Sequence, residues 1–282
     1  MSRRTSVLVT GATGTVGRQV AAQLAEEGVR VRALTRYPHS AEPTAGTEAV
    51  RGDLTDPASV RAAVSGVDAV FLVWPFATAE GLPAVLDVVA EHARRVVYLS
   101  SAVVRVGERH AEGLIERSGL EWTFLRPHAF SANTLAWAEQ IRAEDVVRGP
   151  YAAATTAPIH EHDIAAVAVR ALLSEGHAGA AYLLTGPKAL TQAEQVHVIG
   201  EAIGRPVQWI DTPAEDARQP MLARGWPPQV VDDILKAQAD LVTTPGPVTS
   251  TVREVTGTPA RTFRQWADDN ADRFRGTVRA AH

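Results

Sequence analysis

Two rhythms of apolar residues alternate along this chain. Val7, Leu8 and Val9 form a short continuous run, and Val16, Val20 and Leu24 then recur at four-residue steps. The first pattern predicts a buried strand and the second one face of a helix. Further apolar runs at 29–35, 48–51, 69–73, 96–99 and 122–126 predict strands two to six. Between them, 56–66, 81–92 and 109–118 read as helices, the first announced by Asp56 as N-cap and Pro57 at N1. Strand and helix alternate throughout this half, which predicts an α/β fold with a doubly wound parallel sheet.

The second half is patterned differently. Pro158-Ile159 reads as a short strand, Asp163 as the cap of an alanine-rich helix to about 174, and 182–184 as another strand. Thr191 with Glu194, and Thr262 with Gln265, are capping-box pairs opening two more helices, the first ending at Gly204. Residues 207–210 predict a strand, and 213–240 read as helical with a break at 225–228. From Phe263 the residues Trp266, Ala267, Ala271 and Phe274 fall on one helix face, which docks the end of the chain. The expected organisation is residues 1–150 as the sheet domain, with 155–185 adding to its sheet, and 186–282 as a smaller mixed α/β lobe that closes over the site.

The turn after the first strand carries the chemistry. Gly11, Gly14 and Gly17 stand three residues apart, directly between strand and helix. Gly11 allows a sharp turn, Gly14 lets a pyrophosphate approach the backbone, and Gly17 lets helix pack on strand. Phosphates then meet the free N–H groups at the helix start, where the dipole favours anions, and Thr13, Gly14, Thr15, Val16 and Gly17 are the expected cofactor-binding residues there. A glycine turn that binds nothing is the competing reading.

Arg36 follows the second strand, where a carboxylate would hold the ribose 2′-OH of NAD and a guanidinium accommodates the 2′-phosphate of NADP. NADP(H) is therefore the expected cofactor, with a solvated surface arginine as the alternative. Asp53 and Leu54 lie past the third strand, and Asp53 is placed either to accept from an adenine amino group or to brace a turn. Val73, Trp74, Pro75 and Phe76 end the fourth strand as a rigid wall at the nicotinamide end or as loop packing. Ser100 and Ser101 end the fifth strand; Pro127 and His128 end the sixth.

Composition narrows the classes. The chain has 282 residues, no cysteine and a net charge of −4. Disulfides and thiolate metal sites are excluded, and no global basic field recruits nucleic acid. No stretch approaches the roughly 20 apolar residues of a membrane span. The apolar run after Arg3 and Arg4 stops at Gly11, which argues against an export signal, so a cytoplasmic protein is expected. His160, His162 and Asp163 lack a convincing further ligand, and no metal is expected.

Taken together, GATGTVG, the arginine after the second strand, GDL, YLSS, SGLEWTFLRP with Asn133 beyond it, and GTPARTFRQWADDN resemble the NmrA-like atypical short-chain dehydrogenase/reductases, of the quinone and triphenylmethane-dye reductase type. The resemblance spans nearly the whole chain. It implies a Rossmann domain, NADPH, and a substrate cleft beside a small C-terminal lobe.

One departure matters. The wider superfamily uses a Tyr-x-x-x-Lys pair on the helix after the serine-tipped strand. Here the only lysines are Lys188 and Lys236, and Glu108 stands at the family's lysine position. Without that acid, hydride transfer suits a conjugated acceptor that delocalises the arriving charge: a quinone, enone, imine or aromatic biosynthetic intermediate. Ser101, His110 and His128 are the candidate hydrogen-bonding or proton-donating residues. Trp74, Phe76, Phe130, Trp137 and Trp226 are candidates to line an aromatic-accepting cleft, or else pack singly. The rival reading is a non-catalytic NADP(H)-binding redox sensor acting through a protein partner. A monomer or homodimer is expected.

Overall fold

The computed structural model describes residues 4–38, 45–103 and 106–275. In chain order the elements are β1 (Ser6–Val9), α1 (Thr15–Glu26), β2 (Arg30–Thr35), β3 (Thr47–Arg51), α2 (Pro57–Val64), β4 (Ala69–Leu72), α3 (Leu82–Ala90), β5 (Arg95–Leu99), α4 (Val106–Glu116) and β6 (Glu121–Pro127). A 3₁₀ segment (Ser131–Trp137) leads into α5 (Ala138–Glu144), β7 (Val146–Gly149), β8 (Thr155–Thr156), α6 (Glu161–Leu173), β9 (Ala180–Leu184) and β10 (Leu190–Thr191). Then follow α7 (Gln192–Ile203), β11 (Gln208–Asp211), α8 (Ala214–Ala223), α9 (Pro228–Thr243), α10 (Thr251–Thr256), α11 (Phe263–Asp269) and α12 (Ala271–Arg275).

The chain forms two compact units, each assembled from separate stretches. One comprises Met1–Pro127, Glu161–Leu184 and Thr251–Pro259; the other comprises His128–His160, Thr185–Ser250 and Ala260–His282.

The first unit is built on a seven-stranded sheet of order β3-β2-β1-β4-β5-β6-β9, every neighbouring pair parallel. This is the expected doubly wound Rossmann sheet. Strand order reverses between β1 and β4, and open α/β sheets bind ligands at the carboxyl ends of their strands at such a point. β1 and β4 are buried along their whole length, as their unbroken apolar runs predict. A large core joins α2, α3 and α4 to one sheet face through Leu8, Val70, Leu86, Ile115 and Phe124. On α1, Val16, Val20, Ala21 and Leu24 are buried, and α1 packs against α6. The helix stops at Gly28, whose φ of +72° is the left-handed conformation glycine adopts freely.

The second unit holds two small sheets, antiparallel β10-β8 and parallel β11-β7, as a mixed α/β lobe. Both capping boxes form as the sequence predicts. Its core collects Ile141, Val147, Val196, Ile199, Phe263, Trp266, Ala271 and Phe274.

Three local expectations are corrected. Pro158-Ile159 makes only an isolated bridge, Ile159 to Phe130, since Pro158 has no N–H to donate to a ladder. The alanine-rich helix starts at Glu161, so Asp163 is its third residue and is buried rather than its cap. The last helix breaks at Asn270, whose φ, ψ of −112°, 10° leave the helical region, yet Phe263, Trp266, Ala271 and Phe274 all stay buried.

Candidate cofactor and active site

The site begins at the ends of β1 and β4. Thr10, 1% exposed, accepts the N–H of Val73 on its hydroxyl oxygen at 2.7 Å and donates to the Val73 carbonyl at 3.2 Å. One side chain thus clasps the two strand ends at the reversal point; the sequence reading missed it. Gly11 follows with φ +61°, and a Cβ there would meet that of Val73 at 3.1 Å. The Gly14 N–H closes the turn onto the Gly11 carbonyl at 2.9 Å.

Gly14 is the N-cap of α1 and offers no side-chain cap, and no acidic residue sits in the first turn. The opening N–H groups of the helix are therefore left for an anion, and the dipole favours one there. Thr13, Gly14 and Thr15 are exposed around them, whereas Val16 and Gly17 are buried. A Cβ on Gly17 would stand 2.2 Å from the Gly11 carbonyl oxygen, and one on Gly14 3.2 Å from it. The loop is a cradle that side chains would fill, with donors and no competing carboxylate. It fits a dinucleotide pyrophosphate.

Arg36 is exposed one residue beyond β2, its guanidinium 5.7 Å from the Tyr37 ring centroid. Asp53 braces its own turn: one carboxylate oxygen accepts the Thr55 N–H at 2.9 Å and the Thr55 hydroxyl at 2.8 Å. These bonds from Thr55 hold its pKa below the usual carboxylate value, and Arg36 contributes a smaller pull in the same direction. Leu54 turns its side chain into the core, leaving only its backbone for a ligand. Trp74 spends its indole N–H on the Thr78 carbonyl at 2.7 Å and meets Phe76 edge-on at 4.8 Å; Pro75 and Phe76 are exposed beside it.

The two serines at the end of β5 have different surroundings. Ser100 is buried and donates to Glu112 of α4 at 2.7 Å. Arg126 grips both oxygens of the same carboxylate, at 2.9 and 2.7 Å. The Ser100 hydroxyl is therefore committed within the fold. Ser101 is partly exposed, and its hydroxyl carries no such bond. Pro127 is buried at the end of β6, its carbonyl accepting the Ala102 N–H at 3.0 Å.

His110 is exposed on α4. His128 lies in the second unit with its ring beneath Gly246, where a Cβ would come within 2.7 Å of Cε1. Its Nδ1 is buried with no hydrogen-bond partner, and burial lowers the imidazole pKa. The aromatics expected to line a cleft fall in both units: Trp74 and Phe76 in the first; Phe130, Trp137 and Trp226 in the second. Trp137 packs edge-on to Trp209 at 5.6 Å, whereas Trp226 is 47% exposed.

The first unit contains no lysine. Tyr98 is buried in β5, its pKa pushed up to about 12 by desolvation and by Glu108 and Glu112. Among the described residues no group of three or more His, Asp or Glu is arranged to hold a metal ion. No helix among them is long and apolar enough to cross a membrane.

Residues 11–175 match the NAD(P)H-binding family, and the chain belongs to it. Over 282 residues it is 40% identical to a (4-alkanoyl-5-oxo-2,5-dihydrofuran-3-yl)methyl phosphate reductase of Streptomyces griseus, covering 95% of this chain and 99% of the relative. It is 35% identical to an NAD(P)H azoreductase of Xenophilus azovorans over 286 residues, covering 95% and 99%. Its fold matches that of an Escherichia coli NADPH-dependent quinone oxidoreductase crystallised with NADPH, at a TM-score of 0.78 and 23% identity, covering 93% and 99%. The chain is an NAD(P)H-dependent oxidoreductase, in line with the resemblance read from its motifs.

Proposed function

We propose that this protein uses NADPH to reduce a flat conjugated acceptor, and that it does so without a tyrosine–lysine acid. The carrying observation is a built phosphate cradle in a unit that has no lysine and whose strand-end tyrosine, Tyr98, is locked in the core as a neutral phenol.

When bound, the nicotinamide supplies a hydride. The protein's own part is binding and orientation. The N–H groups of Thr15, Val16 and Gly17 hold the pyrophosphate at the start of α1, and Gly14, its own N–H closed onto Gly11, gives the phosphate room to approach. Arg36 forks onto the 2′-phosphate, which favours NADPH over NADH. Trp74, Pro75 and Phe76 wall the nicotinamide end, and Ser101 is the hydroxyl there free to donate to an acceptor oxygen.

Reducing an isolated ketone creates an alkoxide, where a general acid is worth roughly 10²–10⁴-fold. A conjugated acceptor spreads that charge itself and needs less help. The Streptomyces griseus relative is named for an acceptor of this kind, a dihydrofuranone whose ring carbonyl and alkanoyl group are both conjugated with one double bond. The azoreductase is named for reduction of another conjugated system. The reading is tested by steady-state NADPH oxidation against matched acceptors. Quinones, acyl-butenolides and cyclic imines should turn over, with saturated ketones at least about 10²-fold slower. Equal rates on saturated ketones would sink it.

A further inference from the structure

The second unit contains a pocket of about 390 Å³ lined by none of the residues given a role above. Arg142 of α5, Arg224 at the end of α8 and Arg273 of α12 line it together with Glu139, while Leu135 and its neighbouring alanines form an apolar wall. Three arginines and one glutamate thus line the pocket, an excess of two positive charges.

Other arginines of this unit are paired: Arg148 with Glu144 at 2.7 Å, Arg205 with Asp145 at 2.7 Å, Arg218 with Asp232 at 2.8 Å and Arg275 with Asp272 at 3.0 Å. Arg142, Arg224 and Arg273 have no ion pair among the described residues. Arg142 donates one N–H to the Arg273 carbonyl at 2.7 Å, which steadies one fork over the pocket and leaves its other N–H groups open.

We infer that this pocket binds an organic phosphate, a phosphate monoester with an apolar substituent. The double positive excess matches a dianion, and guanidinium forks meet phosphate oxygens two at a time. The volume exceeds what one tetrahedral anion fills, and the wall at Leu135 takes the organic part. Nucleic acid does not fit: the positive charge is confined to one pocket of a chain whose net charge is −4. The phosphate belongs either to the hydride acceptor itself, which rests on the function proposed above, or to a separate phosphorylated metabolite.

The test uses the full chain saturated with NADPH and phenyl phosphate as probe, titrated by calorimetry at low salt. Saturable binding should appear in the native protein and weaken about tenfold or more in Arg224→Gln and in Arg273→Gln. Arg224→Gln breaks no side-chain bond of the fold, so its result stands even where Arg273→Gln is poorly folded. Absence of saturable binding, or equal binding by Arg224→Gln, overturns the inference. The source is read from kcat/KM for an acyl-butenolide with and without a phosphooxymethyl group. A preference for the phosphorylated acceptor that disappears in Arg224→Gln assigns the pocket to the acceptor. Phenyl phosphate binding without such a preference assigns it to a separate metabolite. The binding result decides the pocket even if no acceptor turns over.

Discussion

Ser100 donates its hydroxyl proton to Glu112 at 2.7 Å, so the first serine after β5 is spent inside the fold. Glu112 is itself buried and clamped by Arg126. A buried carboxylate that loses a partner costs about 1–3 kcal/mol. Ser100→Ala should lower unfolding stability by about that much in urea titrations. Ser101→Ala should leave the urea midpoint in place and lower kcat/KM for carbonyl acceptors roughly 10²-fold. The opposite pattern would exchange the roles of the two residues.

The glycine loop makes a graded prediction. A Cβ at Gly17 would lie 2.2 Å from the Gly11 carbonyl oxygen, inside any tolerable contact, whereas at Gly14 it would lie 3.2 Å away. Gly17→Ala should therefore compromise folding as well as binding, seen in the thermal midpoint without cofactor. Gly14→Ala should fold, yet bind NADPH at least about tenfold more weakly, because the methyl intrudes where the phosphate approaches.

Cofactor choice rests on Arg36. Arg36→Ala should raise KM for NADPH by roughly tenfold or more and change KM for NADH little, since only the former carries the 2′-phosphate. Parallel loss for both dinucleotides would show a structural role instead.

His128 gives a pH dependence of known sign. Burial lowers its folded pKa below the usual 6.5, so below that value the unfolded chain binds a proton that the folded chain resists. Stability is then full above 6.5 and declines as pH falls from 6.5 toward the folded value. His177 is shifted the same way, by burial first and by Arg95 and Arg170 after it. Denaturant midpoints of His128→Gln should fall less steeply over that acid range than those of the native protein.

Much of the fold was legible because each signal was local. The run Val7–Val9, the four-residue repeat from Val16 and the capping boxes at Thr191 and Thr262 need no distant partner to be read. The second unit was harder. β7 mixes buried Val147 with exposed Arg148, and only its parallel pairing with β11, some sixty residues on, makes it a strand. The return of the chain to the first unit at Thr251 leaves no mark in composition. At the site, Ser100 and Ser101 follow one another just past the end of β5. Which of the two meets a carboxylate depends on how α4 settles across β5 and β6, a matter of packing. Thr10 escaped notice for a similar reason, since its partner Val73 lies on a strand brought alongside only by the sheet order.

The most direct test of the account follows the hydride. Stopped-flow mixing of the NADPH-loaded protein with a quinone or acyl-butenolide should show saturable loss of the nicotinamide absorbance. Deuterium placed at the transferring nicotinamide carbon should appear on a carbon of the reduced butenolide. Saturable NADPH binding with no oxidation by any conjugated acceptor would contradict the proposed chemistry and favour a protein that senses the dinucleotide without consuming it.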